Sequence, residues 1–408
     1  MRKHSISVVF LLLFVSSQYS QQGWFYVASP GPVDIYSICF VDEFTGFAGQ
    51  FKSTNGGFNW TEVLPDGGYD KIFLNSSTGF SISSIRVYKT TNTGVNWTEY
   101  STGTNRVFFG GSFANFNTGW IVGEFAEIRK STNGGVNWVF QPNGVSTNYS
   151  FHGVQFVDEN TGFVCGFEQS DFASVILKTT NGGISWTRQD FGSNSTLSGV
   201  YFLNSATGYV TGRDIRKSTD GGATWQVKPP PAPGAYGPVQ FTSQLTGYAI
   251  SSSKLIKTIN GGDTWFLQDL LNPYIYEDMY FINNLTGFIA GLDGKIMKTT
   301  DGGGLPFGII QISAELPDGF ILEQNYPNPF NPATNIKFGI PKKTFVKITI
   351  YDILGKVVDE LVNMELNPGR YSVDWPAFRN ASMYPSAVYF YRIITDEYTD
   401  TKKMILVK

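Results

Sequence analysis

The chain has 408 residues, 45 of them glycine, with 16% aromatic residues and a formal net charge of −3. That length holds two or three ordinary domains, or one large repeat array with a small companion. Setting aside Arg2 and Lys3 leaves 28 basic against 33 acidic residues, a balance that excludes a broad basic surface for nucleic acid or anionic lipid.

Residues 1–20 read as a secretory signal. Arg2, Lys3 and His4 form a charged start, residues 6–15 an apolar core, and small residues follow, with cleavage expected after Ser17 or Ser20. The apolar run is about half the ~20 residues a membrane anchor needs, so no membrane span is expected once the signal is removed. No cysteine closes the run, which argues against a lipid anchor. Cys39 and Cys165 lie in apolar runs of the first and fourth copies of a repeat, too far apart in a seven-fold ring for the about 7 Å reach of a disulfide, and are expected as buried free thiols.

Residues 21–304 hold that repeat. In the fifth copy it reads Val200-Tyr201-Phe202, Asn204-Ser205-Ala206-Thr207-Gly208-Tyr209-Val210, then Ile215-Arg216-Lys217-Ser218-Thr219-Asp220-Gly221-Gly222-Ala223-Thr224-Trp225. The Thr-Gly step recurs at Gly46, Gly79, Gly119, Gly162, Gly208, Gly247 and Gly287, a spacing close to that of a four-stranded propeller blade. Each copy parses as four short strands. The first ends at Phe40, Phe73, Phe113, Phe156, Phe202, Phe241 or Phe281, the second begins at Thr-Gly, the third ends at a Lys-Ser/Thr pair, and the fourth starts at the Trp. Between the last two lies a turn such as Thr54-Asn55-Gly56-Gly57, where Asn or Asp bonds nearby backbone and glycine accepts positive φ.

The last copy stops at Asp301-Gly302-Gly303-Gly304 with no Trp strand, while Trp24-Phe25-Tyr26-Val27 looks like a fourth strand without its first three. Docking one on the other closes the ring and removes an open sheet edge. The expected fold is therefore all-β: a seven-bladed β-propeller closed by the N-terminal strand, then a separate unit.

The motif Ser/Thr-x-Asp/Asn-Gly-Gly-x-x-Trp resembles the Asp-box, or BNR, repeat. The longer phrase, Phe-x-(Asp/Asn)-x-x-Thr-Gly-(Phe/Tyr/Trp) followed by Lys-(Thr/Ser)-(Thr/Ile)-(Asn/Asp)-Gly-Gly, is similar to the seven-bladed propeller of the photosystem II assembly and stability factor family. That resemblance implies architecture, since such propellers host unrelated activities. The family's arginine patch is matched by Arg129 and Arg216 alone, which speaks against a photosystem role.

Residues 305–317 read as a linker, and residues 318–408 as an immunoglobulin-like β-sandwich of six or seven strands. Gln324-Asn325-Tyr326-Pro327-Asn328-Pro329-Phe330-Asn331-Pro332, Tyr351-Asp352-x-x-Gly355, Gly369-x-Tyr371, Ala387-Val388-Tyr389-Phe390-Tyr391-Arg392 and Lys402-Lys403-Met404 resemble the type A C-terminal sorting domain of the type IX, or Por, secretion system. The resemblance implies the type IX machinery as a partner, passage through the periplasm, and release or retention at the outer cell surface. Ala387 stands where that family has Gly, and Met383-Tyr384-Pro385 widens the preceding turn.

Asp-box propellers include sialidases, so a secreted sialidase-like glycoside hydrolase is the alternative reading. The Arg-Ile-Pro motif of that family is absent, and Arg86, Arg106, Arg129, Arg188, Arg213 and Arg216 suggest no carboxylate-binding trio. His152 is the sole histidine outside the leader, so histidine triads and metal clusters are not expected; no catalytic residue, metal or cofactor is assigned. All nine tryptophans have structural posts, leaving none as a glycan platform. The lysine before every turn (Lys52, Lys89, Lys130, Lys178, Lys217, Lys257, Lys298) makes either a ring of charge or a set of stems lying along the blades. Variable links between strands two and three and between blades emerge on one face, where binding usually resides on a rigid scaffold. The candidate ligand-binding residues there are Glu124, Glu127, Arg129, Glu168, Asp171, Arg213, Asp214 and Asp293. The expected function is a secreted or cell-surface, non-catalytic propeller that binds a protein or polysaccharide.

Overall fold

The structure is a computed structural model that describes residues 23–251, 253–268, 270, 274–304, 309–331, 333–375 and 384–407. The leader, the turn at Met383 and Pro332 of the sorting motif lie outside the described residues. Those described form nine four-stranded antiparallel sheets, seven before residue 305 and two after it.

The seven sheets follow one another in the manner of propeller blades. Their first strands are Ile38–Phe40, Asp70–Phe73, Phe108–Phe113, Tyr149–Phe156, Gly199–Phe202, Val239–Phe241 and Tyr276–Phe281, each ending on the expected phenylalanine. Third strands end on Ser53, Thr90, Ser131, Thr179, Ser218, Thr258 and Thr299. In six sheets the tryptophan sits just ahead of the short fourth strand rather than opening it, as at Thr61–Glu62 after Trp60. The seventh sheet takes its fourth strand from the other end of the chain: Trp24–Tyr26 pairs with Ile296–Thr299, Trp24 opposite Thr299 and Tyr26 opposite Met297.

One aromatic unit repeats between sheets. The phenylalanine ending each first strand stacks on the ring that follows Thr-Gly in the preceding sheet: Phe73 on Phe47, Phe113 on Phe80, Phe156 on Trp120, Phe202 on Phe163, Phe241 on Tyr209, Phe281 on Tyr248 and Phe40 on Phe288, with centroids 3.4–4.7 Å apart. A tryptophan then meets each of these phenylalanines edge-on at 5.8–6.3 Å. In six sheets it is the sheet's own turn tryptophan; in the seventh it is Trp24. The glycine of the Thr-Gly step is required by the same packing, because a Cβ at Gly46 would clash with the ring carbons of Phe40.

The lysines form a second repeated link. Each ammonium donates to a carbonyl in the turn of the next sheet: Lys52 to Thr93 (2.6 Å), Lys89 to Gly134 (2.8 Å), Lys130 to Gly182 (2.9 Å), Lys178 to Gly221 (2.7 Å), Lys257 to Gly302 (2.8 Å) and Lys298 to Gly56 (3.1 Å). Lys217 instead pairs with Asp263 at 3.2 Å. Stems along the blades is thus the reading the structure supports, with heads reaching across to the neighbour. The turns close as their sequence dictates. Ser53 Oγ accepts from Gly57 N–H at 2.9 Å and donates to Asn55 Oδ1, whose oxygen accepts from Asn59 N–H, while Gly56 and Gly57 take φ of 72° and 89°. The divergent second turn closes too, with Thr93 forced to a φ of 56°.

After residue 308 two four-stranded sheets share one core that includes Ile336, Val346, Ile348, Trp375, Tyr391 and Leu406. Within the stretch read as a linker, Ile309–Ser313 pairs with Gly369–Trp375 and belongs to the first of these sheets. Cys39 and Cys165 are free and buried.

Candidate ligand face

Six of the seven sheets are antiparallel meanders, and the seventh is a three-stranded meander completed by Trp24–Tyr26, so the links between strands two and three and the blade-to-blade links leave by one end and the Asp-box turns by the other. A cavity of about 520 Å³ is lined by all seven first strands, through Ile38, Lys71, Gly110, His152, Val200, Val239 and Met279 among others.

Its wall is polar as well as apolar. Lys71 donates to Ser37 Oγ at 3.0 Å and to the Gly67 carbonyl. Asp70 accepts from Gly111 N–H at 2.9 Å and Asp278 from Ile38 N–H at 2.8 Å, so each carboxyl bridges two sheets. Burial pushes Asp70 up to about 6 and Asp278 up to about 7, and lowers Lys71 to about 8. Glu277 is raised by burial and by the charge of Asp34. Burial also lowers His152 to about 4, which keeps it neutral near pH 7.

At the mouth the position four residues before the strand-ending phenylalanine is occupied by Tyr36, Tyr69, Phe109, His152, Ser198, Gly237 and Glu277 in the seven copies. The first four make a continuous arc of rings: Tyr36 to Tyr69 at 5.6 Å, Tyr69 to Phe109 at 5.4 Å and Phe109 to His152 at 4.8 Å. Phe167 and Phe172 extend it, at 4.8 and 6.0 Å. Sequence reasoning missed this arc because it looked for tryptophan; aligning the copies at that register position would have shown it.

The residues expected to bind ligand are placed as follows. Glu127 and Arg129 form an ion pair at 2.7 Å, Glu127 is buried, and Arg129 also donates to the Thr102 carbonyl. Both are thereby engaged within the scaffold. Asp214 pairs with Arg216 at 3.1 Å. Asp171 is exposed and held below the usual carboxylate range by hydrogen bonds from Ala173 N–H and Ser193 Oγ. Arg213 and Asp293 are exposed, Glu124 and Glu168 half-buried. Backbone strain gathers at the same end. Ser84, Phe125, Ala126, Phe172, Asn194, Thr196 and Asp293 all take positive φ, a feature that clusters at functional sites. Phe125 and Phe172 are presented to solvent from such positions, Phe125 with the Arg106 guanidinium 4.0 Å above its ring.

In the sorting motif, Asn325 is buried; its side-chain amide donates to Thr334 Oγ1 and the Pro327 carbonyl, and its backbone N–H donates to the Tyr391 hydroxyl oxygen, at 2.8–3.0 Å. Phe330 enters the core, and its backbone bonds Ile405 and Val407. Asn328 accepts from Ile405 N–H at 3.0 Å. The motif therefore pins the chain's last strand. Tyr326 stands out at 81% exposure, and Pro327, Pro329 and Asn331 are exposed.

No curated protein matches the chain in sequence. The family model described as "Photosynthesis system II assembly factor YCF48" matches residues 89–194, and the "Secretion system C-terminal sorting domain" model matches residues 324–408. Among solved structures, YCF48 bound to D1 peptide aligns with a TM-score of 0.56 at 15% identity over 68% of this chain and 97% of that one. YCF48 from Cyanidioschyzon merolae gives 0.53 at 16% identity, covering 68% and 98%. The extracellular domain of a hybrid two component system from B. thetaiotaomicron gives 0.56 at 10% identity, covering 94% of this chain and 57% of that protein. At these identities the likeness is one of fold. The chain carries a YCF48-like BNR propeller domain followed by a Por-type secretion C-terminal sorting domain.

Proposed function

We propose that this protein is a non-catalytic propeller, closed into a ring by its N-terminal strand, that captures a protein or polysaccharide on the face bearing the cavity mouth. Its immunoglobulin-like tail directs it through the type IX machinery to the outer surface or the medium. The observation that carries the closed ring is the seven-fold unit of stacked rings, in which Trp24 fills the one vacant tryptophan post and Phe40 stacks on Phe288. The match of residues 324–408 to the sorting domain supports the export route. Candidate ligand residues remain Glu124, Glu168, Asp171, Arg213, Asp214 and Asp293, with Glu127 and Arg129 shaping the loop that carries Glu124.

Two experiments test this reading. The full chain, screened against surface proteins and glycans, is expected to capture a ligand, and reversing the charges of Glu124, Arg213 and Asp214 together is expected to weaken capture. Unchanged capture would remove those links from the site. Fusing residues 309–408 to a reporter in a type IX-competent host should move it outside the cell; a reporter retained in the periplasm would defeat the export reading. The glycosidase alternative would prevail if purified protein hydrolysed a glycoside panel above a boiled control. Against it, Asp70 and Asp278 already accept backbone N–H bonds that join neighbouring sheets.

A further inference from the structure

We infer that the cavity mouth is a carbohydrate site, built to hold a neutral polysaccharide chain between the ring arc and the open side facing it. The inference rests on the binding role proposed above and names its ligand class.

The mouth has two unlike halves. Copies one to four place Tyr36, Tyr69, Phe109 and His152 at one register position, while copies five to seven place Ser198, Gly237 and Glu277 there. The first half is a wall of rings that is 41% exposed at Tyr36 and 37% at Tyr69. The second half is open and polar: a Cβ on Gly237 would meet nothing within 4 Å, and Ser198 and Glu277 flank it. A pyranose has the same two-sided chemistry, with an apolar face of C–H groups and an equator of hydroxyls. Rings take the first and carboxylate, hydroxyl and backbone groups take the second. A cavity of about 520 Å³ falls in the range of ligand pockets. A peptide anchor would call for an enclosed apolar pocket, whereas here Ser198, Gln240 and Glu277 stand in the wall facing the rings.

Charge narrows the class further. Asp34, Glu277, Asp278 and Asp70 lie at or within the mouth, and Lys71 is the one cation lining the cavity among the described residues. Uronate, sialate or sulfate groups would meet like charge in a partly desolvated site. Neutral sugars meet acceptors.

The test is affinity electrophoresis of the full chain through gels containing xyloglucan, galactomannan, laminarin or dextran, and separately alginate or heparin. Retardation is expected with at least one neutral polymer and with neither anionic one. Tyr36→Ala and Tyr69→Ala should each weaken it by about tenfold, a loss of the size expected for one aromatic contact. Gly237→Gln, whose Cβ has nothing within 4 Å and whose side chain would occupy the open side, should abolish retardation and leave the melting temperature unchanged. Phe58→Ala, on the Asp-box face, should leave retardation unchanged. Retardation by alginate or heparin alone, retardation indifferent to Tyr36 and Gly237, or none with any polymer would overturn the inference. Capture of a protein that depends on Arg213 and Asp214, with no polysaccharide retarded, would leave the general binding role standing while this inference fell.

Discussion

Replacing Trp24 with alanine isolates what the N-terminal strand contributes. Trp24 is 2% exposed, packs edge-on to Phe281 at 5.8 Å, and shares a core with Tyr248, Ile250, Met279, Ile289 and Met297. Its indole N–H has no acceptor among the described residues, so the substitution removes packing and costs no hydrogen bond. Deleting a buried Trp side chain costs about 3–5 kcal/mol. In a domain of this size each kcal/mol moves the midpoint by roughly 2–4 °C or less, so Trp24→Ala should lower the propeller transition by on the order of 5–10 °C. Differential scanning calorimetry on the full chain reads it, with Trp60→Ala as comparison, because Trp60 holds the same post in the first sheet but is only partly buried. A Trp24→Ala transition within a degree of the parent would refute the reasoning, since a strand that merely lies nearby has nothing to lose.

Thr258→Val keeps shape but removes the Oγ1 that accepts from Gly262 N–H at 2.9 Å. A buried N–H left without its acceptor costs about 1–3 kcal/mol, and urea unfolding should show a fall of that size; no change would mean the turn glycines alone close the hairpin. Asp278 has an ordinary value of 3.8 and is lifted to about 7 by burial. Between those values the folded chain holds a proton that the unfolded chain has lost, so the destabilising effect is full above pH 7 and fades as pH falls toward 4. Asp278→Asn, whose amide oxygen can still accept from Ile38 N–H, should melt above the parent at pH 8, with the gap shrinking by pH 5; an equal gap at both would contradict the assignment. Cys39 and Cys165, buried with thiols pushed up by that burial, should resist iodoacetamide at pH 8 and react fully in denaturant, as mass spectrometry would show.

The blades were legible because each carries its own local instructions. A Thr-Gly step, an Asn/Asp-Gly-Gly turn and alternating apolar residues act within one copy, so the strand ends at Phe40 through Phe281 follow from sequence alone. What acts between copies was harder to read. The Lys89 ammonium meets a carbonyl 45 residues on, at Gly134, and only the fold says which copy is its neighbour. The strand at Ile309–Ser313 was hidden for a related reason: its partner, Gly369–Trp375, lies far along the chain, and a short run beside the turn glycines reads as a spacer. The mouth's rings were not legible because none is a tryptophan and each lies in a different copy; only in register do Tyr36, Tyr69, Phe109 and His152 become one surface. The charged candidates were chosen by loop and residue type, which cannot show that Glu127 and Arg129 satisfy each other.

Closure can be tested covalently. Tyr26 and Met297 are register partners, and paired residues of an antiparallel ladder have Cα atoms about 4.5–5.5 Å apart, within disulfide reach. After Tyr26→Cys and Met297→Cys are combined and the protein is mildly oxidised, peptide mapping should recover residues 26 and 297 joined within one chain. Free thiols at both positions, or a bridge found only between two chains, would show that the seventh sheet is completed in some other way.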